Sequence, residues 1–280
     1  MGPPRRFDYT TVGHVTADVA GDGSRRPGGS AFYSALQAAR LGRRSRILTR
    51  GVADEIEELL EPYRGELELE VLAAAQTTTL QTVGSGSERS QRVLGWAGAF
   101  DEQIVLDTSI LHLAPVARET PGRWRGSADF VGLTPQGLLR RWSANDDEIV
   151  HAPPEEHRIP QRCHAVVLSE HERASCGQLI SRATAAGAVV AITAGASSTT
   201  LLLPGGAEVA VHVPSVERPL DDVGAGDVFA AAFFVALTEG RAPERAAHFA
   251  NAAAAVRIQH MGARAIGDRA AIEARLRAVA

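Results

Sequence analysis

One segment of the chain joins small residues to a carboxylate at the head of an apolar run: Asp221-Asp222-Val223-Gly224-Ala225-Gly226-Asp227-Val228-Phe229. Glycine and alanine there let a ligand approach the backbone, and the apolar residues that follow predict a helix over Asp227–Glu239. The first amides of a helix have no partner within it and lie at the positive end of its dipole. Gly224, Ala225 and Gly226 could therefore cradle a phosphoryl group without help from a lysine. Beside that cradle, Asp227 could take the proton of a hydroxyl as its oxygen attacks phosphorus. The same residues also have a purely structural reading, since an aspartate in a first turn stabilises a helix and a glycine turn is an ordinary loop. A dinucleotide-binding turn fits less well: the third glycine of Gly-x-Gly-x-x-Gly is missing, and no strand-end acid follows about 20 residues on.

A second constellation runs from Gly28-Gly29-Ser30 through Ala38-Ala39-Arg40-Leu41-Gly42. Paired glycines open an amphipathic helix over Ser30–Leu41, and Gly42 closes it as the residue after the C-cap. By itself this is a well-capped helix. Its glycines follow a strand at Tyr9–Val15, however, and the carboxyl ends of strands are where open α/β sheets bind ligands.

The elements that must position these residues follow an alternating order. Strand-like Tyr9–Val15 and Arg46–Gly51 alternate with helix-like Ser30–Leu41 and Asp54–Tyr63, the rhythm of a parallel sheet covered by helices. It returns in Ala165–Leu168, a helix over Glu170–Ala186, a strand at Ala188–Thr193 and a hairpin over Thr199–Val213. Thr77–Val83 and Ser90–Leu94 alternate around Gly84-Ser85-Gly86-Ser87 and predict an antiparallel hairpin, either a lid or a plain edge hairpin. From Gly224 onward the chain is nearly continuous helix, with Pro243–Gln259 and Arg269–Val279 completing it.

Composition narrows the function. With 280 residues, 45% hydrophobic and 22% charged, the chain can bury a large core. A formal charge of −4 gives no basic face for nucleic acid. All 29 basic residues are arginine, so a lysine Schiff base and a Walker-type phosphate lysine are excluded. Two cysteines, Cys163 and Cys176, form no disulfide framework, and no stretch is apolar enough for a signal peptide or a membrane span. A cytoplasmic protein with no nucleic-acid or membrane partner is expected.

Together the two motifs resemble the signatures of the ribokinase-like (PfkB) carbohydrate kinases: a di-glycine segment ending in Ala-Arg-Leu-Gly and a variant of Asp-Thr-Thr-Gly-Ala-Gly-Asp. Val12-Gly13-His14-Val15-Thr16-Ala17-Asp18 resembles the family's first strand, so the likeness spans nearly the whole chain. It implies a single domain over 1–280, a three-layer α/β/α sandwich with a mostly parallel central sheet and a small β lid near 18–27 and 77–96. It further implies ATP-dependent phosphorylation of a small polyol, with ATP and Mg²⁺ as cofactors and Asp227 as base. The amides of Gly224, Ala225, Gly226 and Asp227 become the anion hole, and Asp18, Gly28 and Gly29 become acceptor contacts. Glu172 of Ser169-Glu170-His171-Glu172 would orient Mg²⁺ through water, although Ser169 stands in place of the family's asparagine. Thr193 and Gly195 resemble the nucleotide-side turn, and Asn251 falls on the adenine-side helix.

Departures bear on the substrate. Tyr33 stands where ribokinases carry a sugar-binding asparagine, which points away from ribose. Asp222 and Val223 replace two threonines, leaving a monovalent-cation requirement undetermined. His112-Leu113-Ala114-Pro115-Val116 and Gly132-Leu133-Thr134-Pro135-Gln136-Gly137 resemble a branch that includes myo-inositol kinases, and Gln136 is taken as an acceptor contact. Arg89 and Arg92 of the hairpin could reach the acceptor, with Arg89 preferred; Gln81 and Gln91 are further candidates. A nucleoside kinase of the same fold and a non-catalytic sugar- or nucleotide-binding relative are the alternatives, and an exposed lid edge could pair two copies as a homodimer. Cys163, His164, His171 and Cys176 lack the tight pairs of a structural zinc site, and His14 reads as a packed strand residue.

Overall fold

The computed structural model describes residues 6–83, 90–143 and 146–278. In chain order it comprises β1 (Phe7–Val12), β2 (Thr16–Val19), β3 (Arg25–Gly28), α1 (Ser30–Arg40), β4 (Ser45–Gly51), α2 (Ala53–Leu60), β5 (Glu68–Ala73), β6 (Thr79–Val83), β7 (Ser90–Gly95), β8 (Thr108–Leu113) and β9 (Ala128–Leu133). There follow β10 (Arg140–Ser143), β11 (Asp146–His151), β12 (Ala165–Ser169), α3 (Glu170–Arg173), α4 (Gly177–Ala185), β13 (Val189–Ala194), β14 (Ser197–Leu202), β15 (Glu208–Val211), α5 (Ala225–Thr238), α6 (Pro243–Arg257) and α7 (Arg269–Arg277).

The strands form two sheets. Nine of them build the central one in the order β15-β14-β13-β12-β9-β8-β1-β4-β5. All neighbours from β5 through β13 pair parallel, and at the other edge β14 alone is reversed, pairing antiparallel with both β13 and β15. Both faces are covered, so successive residues of a central strand enter different cores. Val167 and Ala191 point into the apolar layer shared with α1, α5 and α6. Their neighbours Val166, Leu168, Val190 and Ile192 point to the other side, against Leu179 and Ala183 of α4. This is the predicted three-layer sandwich. Helix α5 is apolar on all sides and buried from Val228 to Ala236, which suits the centre of a helical layer rather than its surface.

The second sheet contains the segments from which a lid is expected. Its order is β10-β11-β7-β6-β2-β3, so the expected segments near 18–27 and 77–96 are joined by β10 and β11. Leu80, Val93, Val116 and Ala117 form its small core, with Trp96, Trp142 and Ile149 packed alongside. The hairpin turn at 84–89, and with it Arg89, lies outside the described residues.

Element boundaries differ from expectation where a local break intervenes. The helix expected over Glu170–Ala186 is split into α3 and α4. The helix expected over Asp54–Tyr63 ends at Leu60 and continues as a 3₁₀ turn opening at Glu61-Pro62, because a proline inside a helix clashes with the preceding turn.

Candidate active site

The loops leaving the carboxyl ends of β1, β8 and β9 meet the lid around a cavity of about 710 Å³. Asp18, Gly29, Tyr33, Gln136, Gly224 and Asp227, far apart in sequence, all line it. Position along an open α/β sheet accounts for this, since the strand ends face the lid.

Helix α5 begins two residues earlier than expected. Gly224 is its N-cap in the left-handed region (φ 77°, ψ 3°), and Ala225, Gly226 and Asp227 are its first three residues. A side chain at Gly224 would meet both that backbone penalty and the ring of Tyr33, which a Cβ would overlap. The amide of Ala225 turns back to Asp222 O (3.1 Å), and the carbonyl of Gly224 accepts the amide of Val228 (2.9 Å). No acceptor is recorded for the amides of Gly226 and Asp227 among the described residues, and they are left for a ligand or water.

Asp227 is partly open to the cavity. Burial raises its carboxyl to about 6; the hydroxyl of Ser30 and the charge of Arg140 hold it lower than burial alone would, while Glu172 adds to the rise. A carboxylate near that value is ionised at neutral pH and still basic enough to accept a proton. Ser34 donates to the Asp227 carbonyl (3.2 Å), tying α1 to the head of α5.

Across the cavity, Asp18 accepts a hydrogen bond from Thr16 Oγ1 (2.7 Å). A Cβ on Gly28 would collide with the Asp18 carboxylate, and one on Gly29 (φ 92°) with the carbonyl of His14. The di-glycine thus gives Asp18 its room and lets the chain pass from lid to α1.

Other candidates lie elsewhere. Glu172 is buried and completes a capping box, its Oε2 accepting the Ser169 amide at 2.7 Å, so one of its oxygens serves the start of α3. Thr193 sits at the end of β13 with its hydroxyl toward Leu168 O (3.4 Å), and Gly195 (φ 60°) begins the turn into β14. The Asn251 side chain is buried and spent within the fold, accepting from Thr199 Oγ1 (2.9 Å) and donating to His212 O (3.1 Å). Gln91 joins the cavity wall, whereas Gln81 and Arg92 do not.

Among the described residues no group of three or more His, Cys, Asp and Glu side chains could hold a metal ion. His164 Nδ1 accepts the Val131 amide (2.9 Å), and burial pushes Cys163 and Cys176 up to about 12, a setting that disfavours thiolate ligation. The carboxylates present fit a Mg²⁺ bound mainly by phosphates and water, not an all-protein cage.

Sequence reasoning passed over Arg140. It is buried, lines the cavity, and donates to Val116 O and Gln91 Oε1, both at 2.8 Å. Gln91 in turn donates to Thr82 Oγ1 (3.2 Å). The carboxylate of Glu119, wholly buried, gathers the amides of His14 (2.8 Å), Val116 (2.9 Å) and Ala117 (2.6 Å) beneath it. In a chain with 29 arginines, nothing in the pattern sets a buried one apart. The only available signal was adjacency to Gln136-Gly137.

Residues 145–269 match the family described as pfkB family carbohydrate kinase. A comparison with curated protein sequences gives no match. Among solved structures, a pyrophosphate-dependent kinase in the ribokinase family, complexed with a pyrophosphate analog and myo-inositol, is 22% identical (TM-score 0.73, covering 95% of this chain and 99% of that one). Ribokinase of Arabidopsis thaliana, complexed with ribose and ATP, is 19% identical (TM-score 0.74, 97% and 99% covered). Nucleoside kinase of Methanocaldococcus jannaschii is 16% identical (TM-score 0.70, 98% and 99% covered). The chain has the ribokinase-like fold, and its residues 145–269 are similar to the pfkB family carbohydrate kinases.

Proposed function

We propose that this protein is a phosphotransferase that moves the terminal phosphoryl group of ATP to a hydroxyl of a small polyol, a sugar or cyclitol. The observation that carries this reading is the juxtaposition at the head of α5: an elevated carboxyl, Asp227, beside two amides without acceptors among the described residues, with Gly224 and Asp227 lining the cavity that Asp18 lines from the lid.

Asp18 would accept hydrogen bonds from acceptor hydroxyls, and Tyr33 and Gln136 would shape the same end of the cavity. The attacking hydroxyl would give its proton to Asp227, while the Gly224–Asp227 amides oppose charge on the transferring phosphoryl oxygens. Mg²⁺, carried on donor phosphates, supplies charge neutralisation when bound; Glu172 stands near enough for its charge to act on Asp227 and Arg140. The lid would exclude water from the transfer. Thr193 and Gly195 are assigned to the nucleotide side. Asn251 reaches a nucleotide only by giving up Thr199 and His212, so inorganic pyrophosphate belongs in any donor screen. The edge of β3 offers a second copy a strand to pair with.

The test is Asp227→Asn assayed against cyclitols, sugars and nucleosides with ATP and with pyrophosphate. Turnover should fall by about 10³-fold or more while donor binding persists. Near-wild-type turnover would sink the assignment. A protein whose melting temperature rises with a polyol, yet which consumes no donor, would be a binding relative without catalysis.

A further inference from the structure

Arg257, the last residue of α6, is wholly buried, and its guanidinium is ringed by oxygens from two loops. Nη1 donates to the carbonyls of Asp221 (3.3 Å) and His260 (3.1 Å). Nη2 donates to Asp221 Oδ2 (2.8 Å) and the carbonyl of Val223 (2.7 Å). Asp221 extends the lacing, since its carboxylate also accepts the amides of Gly262 (2.8 Å) and Val223 (3.0 Å). The amide of Leu220 meets Ile258 O at 2.8 Å. One buried cation thus binds the turn 221–223 to the segment 258–262, and Gly224, the left-handed cap of α5, comes next in the chain.

The positive charge of Arg257 is what lets these oxygens meet. Without it, three carbonyl oxygens and a carboxylate would converge with no positive charge among them, and removing one partner of a buried ion pair costs far more than the pair itself is worth. Of the five contacts that hold Asp221 and Val223, three come from Arg257; without it the turn keeps only the Gly262 and Val223 amides on the Asp221 carboxylate and the backbone bonds to Ile258. A ring of carbonyl and carboxylate oxygens is also a donor set able to replace the hydration shell of a small monovalent cation.

We propose that Arg257 is a positioning residue for phosphoryl transfer: a built-in cation that fixes the 221–223 turn and thereby keeps the bend at Gly224, which turns the amides of Gly226 and Asp227 toward the donor. The inference rests on the kinase reading for its purpose, though not for its geometry. Arg257 touches no reacting atom. The natural protein then needs no added monovalent cation to hold this turn, whereas a variant lacking the guanidinium becomes dependent on one.

The experiment compares wild type, Arg257→Ala and Arg257→Lys in a tetramethylammonium buffer, with and without guanidinium or potassium ions well below denaturing concentrations. Hydrogen exchange is followed in peptides spanning 221–227, and binding of magnesium pyrophosphate is measured by calorimetry. Arg257→Ala should exchange faster across 221–227 and bind pyrophosphate about tenfold more weakly, a change of about 1.4 kcal/mol. Either small cation should restore both, and wild type should respond to neither. If the alanine variant does not fold, Arg257→Lys, which keeps the charge but not the fork, should show the same changes in smaller measure. Unchanged exchange and affinity in a folded variant, losses that no cation repairs, or a wild type that binds no pyrophosphate would each overturn the proposal. A wild type that binds pyrophosphate and shows the Arg257 dependence, yet phosphorylates no acceptor with any donor, would overturn the kinase reading and leave this one standing.

Discussion

At the scale of single residues, the proposed base Asp227 carries a cost in stability. Its carboxyl in the folded protein sits at about 6, above the ordinary 3.8. A group raised in this way favours the folded state when protonated, so the contribution is full below about pH 4 and is lost as pH rises through 6. Above that window the ionised group weighs on the fold by roughly 2–3 kcal/mol. Asp227→Asn, neutral at every pH, should therefore be more stable than wild type at pH 8 and no more stable at pH 4. Urea unfolding at the two pH values checks this, and equal differences at both would refute it. For the proposed base role the dependence runs the other way, because only a carboxylate accepts a proton: kcat/KM should climb with pH and level off above about 6. Arg140 favours the ionised form, so Arg140→Met should move that acid limb to higher pH. A merely structural loss would lower the whole profile without shifting it.

At the scale of elements, the head of α5 is set by contacts distant in sequence. The small residues 224–226 read equally well as a loop, and the helix was expected to start at Asp227; it starts at Ala225, because Tyr33 from α1 leaves room only for a glycine at the cap. The alternation of apolar strands and helices made the central sheet legible, since β-branched and apolar runs such as Val166–Leu168 must be buried on both faces. What stayed hidden depended on long-range pairing. Strand β11 finds β7 through a chain separation of more than fifty residues, as Glu148 does opposite Arg92, and neither segment announces the other. Arg140 and Arg257 stayed hidden for the related reason that burial, not residue type, makes an arginine a site residue. Gly224→Val tests the element directly. It should cost about 1–3 kcal/mol in stability for the strained backbone and lower turnover about a hundredfold or more by displacing the amides. Gly226→Ala, in a position with open space around it, should keep the fold and serve as the control. A Gly224→Val protein with full turnover would show that the cap does not hold the anion hole.

At the scale of the whole molecule, two sheets with separate cores must act on one cavity, and the contacts between them decide how. The body reaches the lid through a few buried polar bonds. His14 Nδ1 and Thr78 Oγ1 lie 2.7 Å apart, the same hydroxyl accepts the Ala97 amide at 3.0 Å, and Trp96 Nε1 donates to Ala117 O at 2.8 Å. The far strands reach the body too, since Trp142 of β10 and Ile149 of β11 pack on Val116 and Ala117 of the loop after β8. The indoles are distributed so as to report on the lid. Trp96 and Trp142 pack edge to face with ring centroids 5.8 Å apart, within the lid's own core. Trp124 lies instead against the body core. In a Trp124→Phe protein the remaining emission therefore comes from the lid alone. If the cavity closes over acceptor and donor together, that emission should shift more with both ligands than with the sum of each, because closure draws β7 and β10 onto the cavity that Gln91 and Arg140 line. Additive shifts would mean that the lid is a fixed wall, and water exclusion would then have to come from the ligands' own fit.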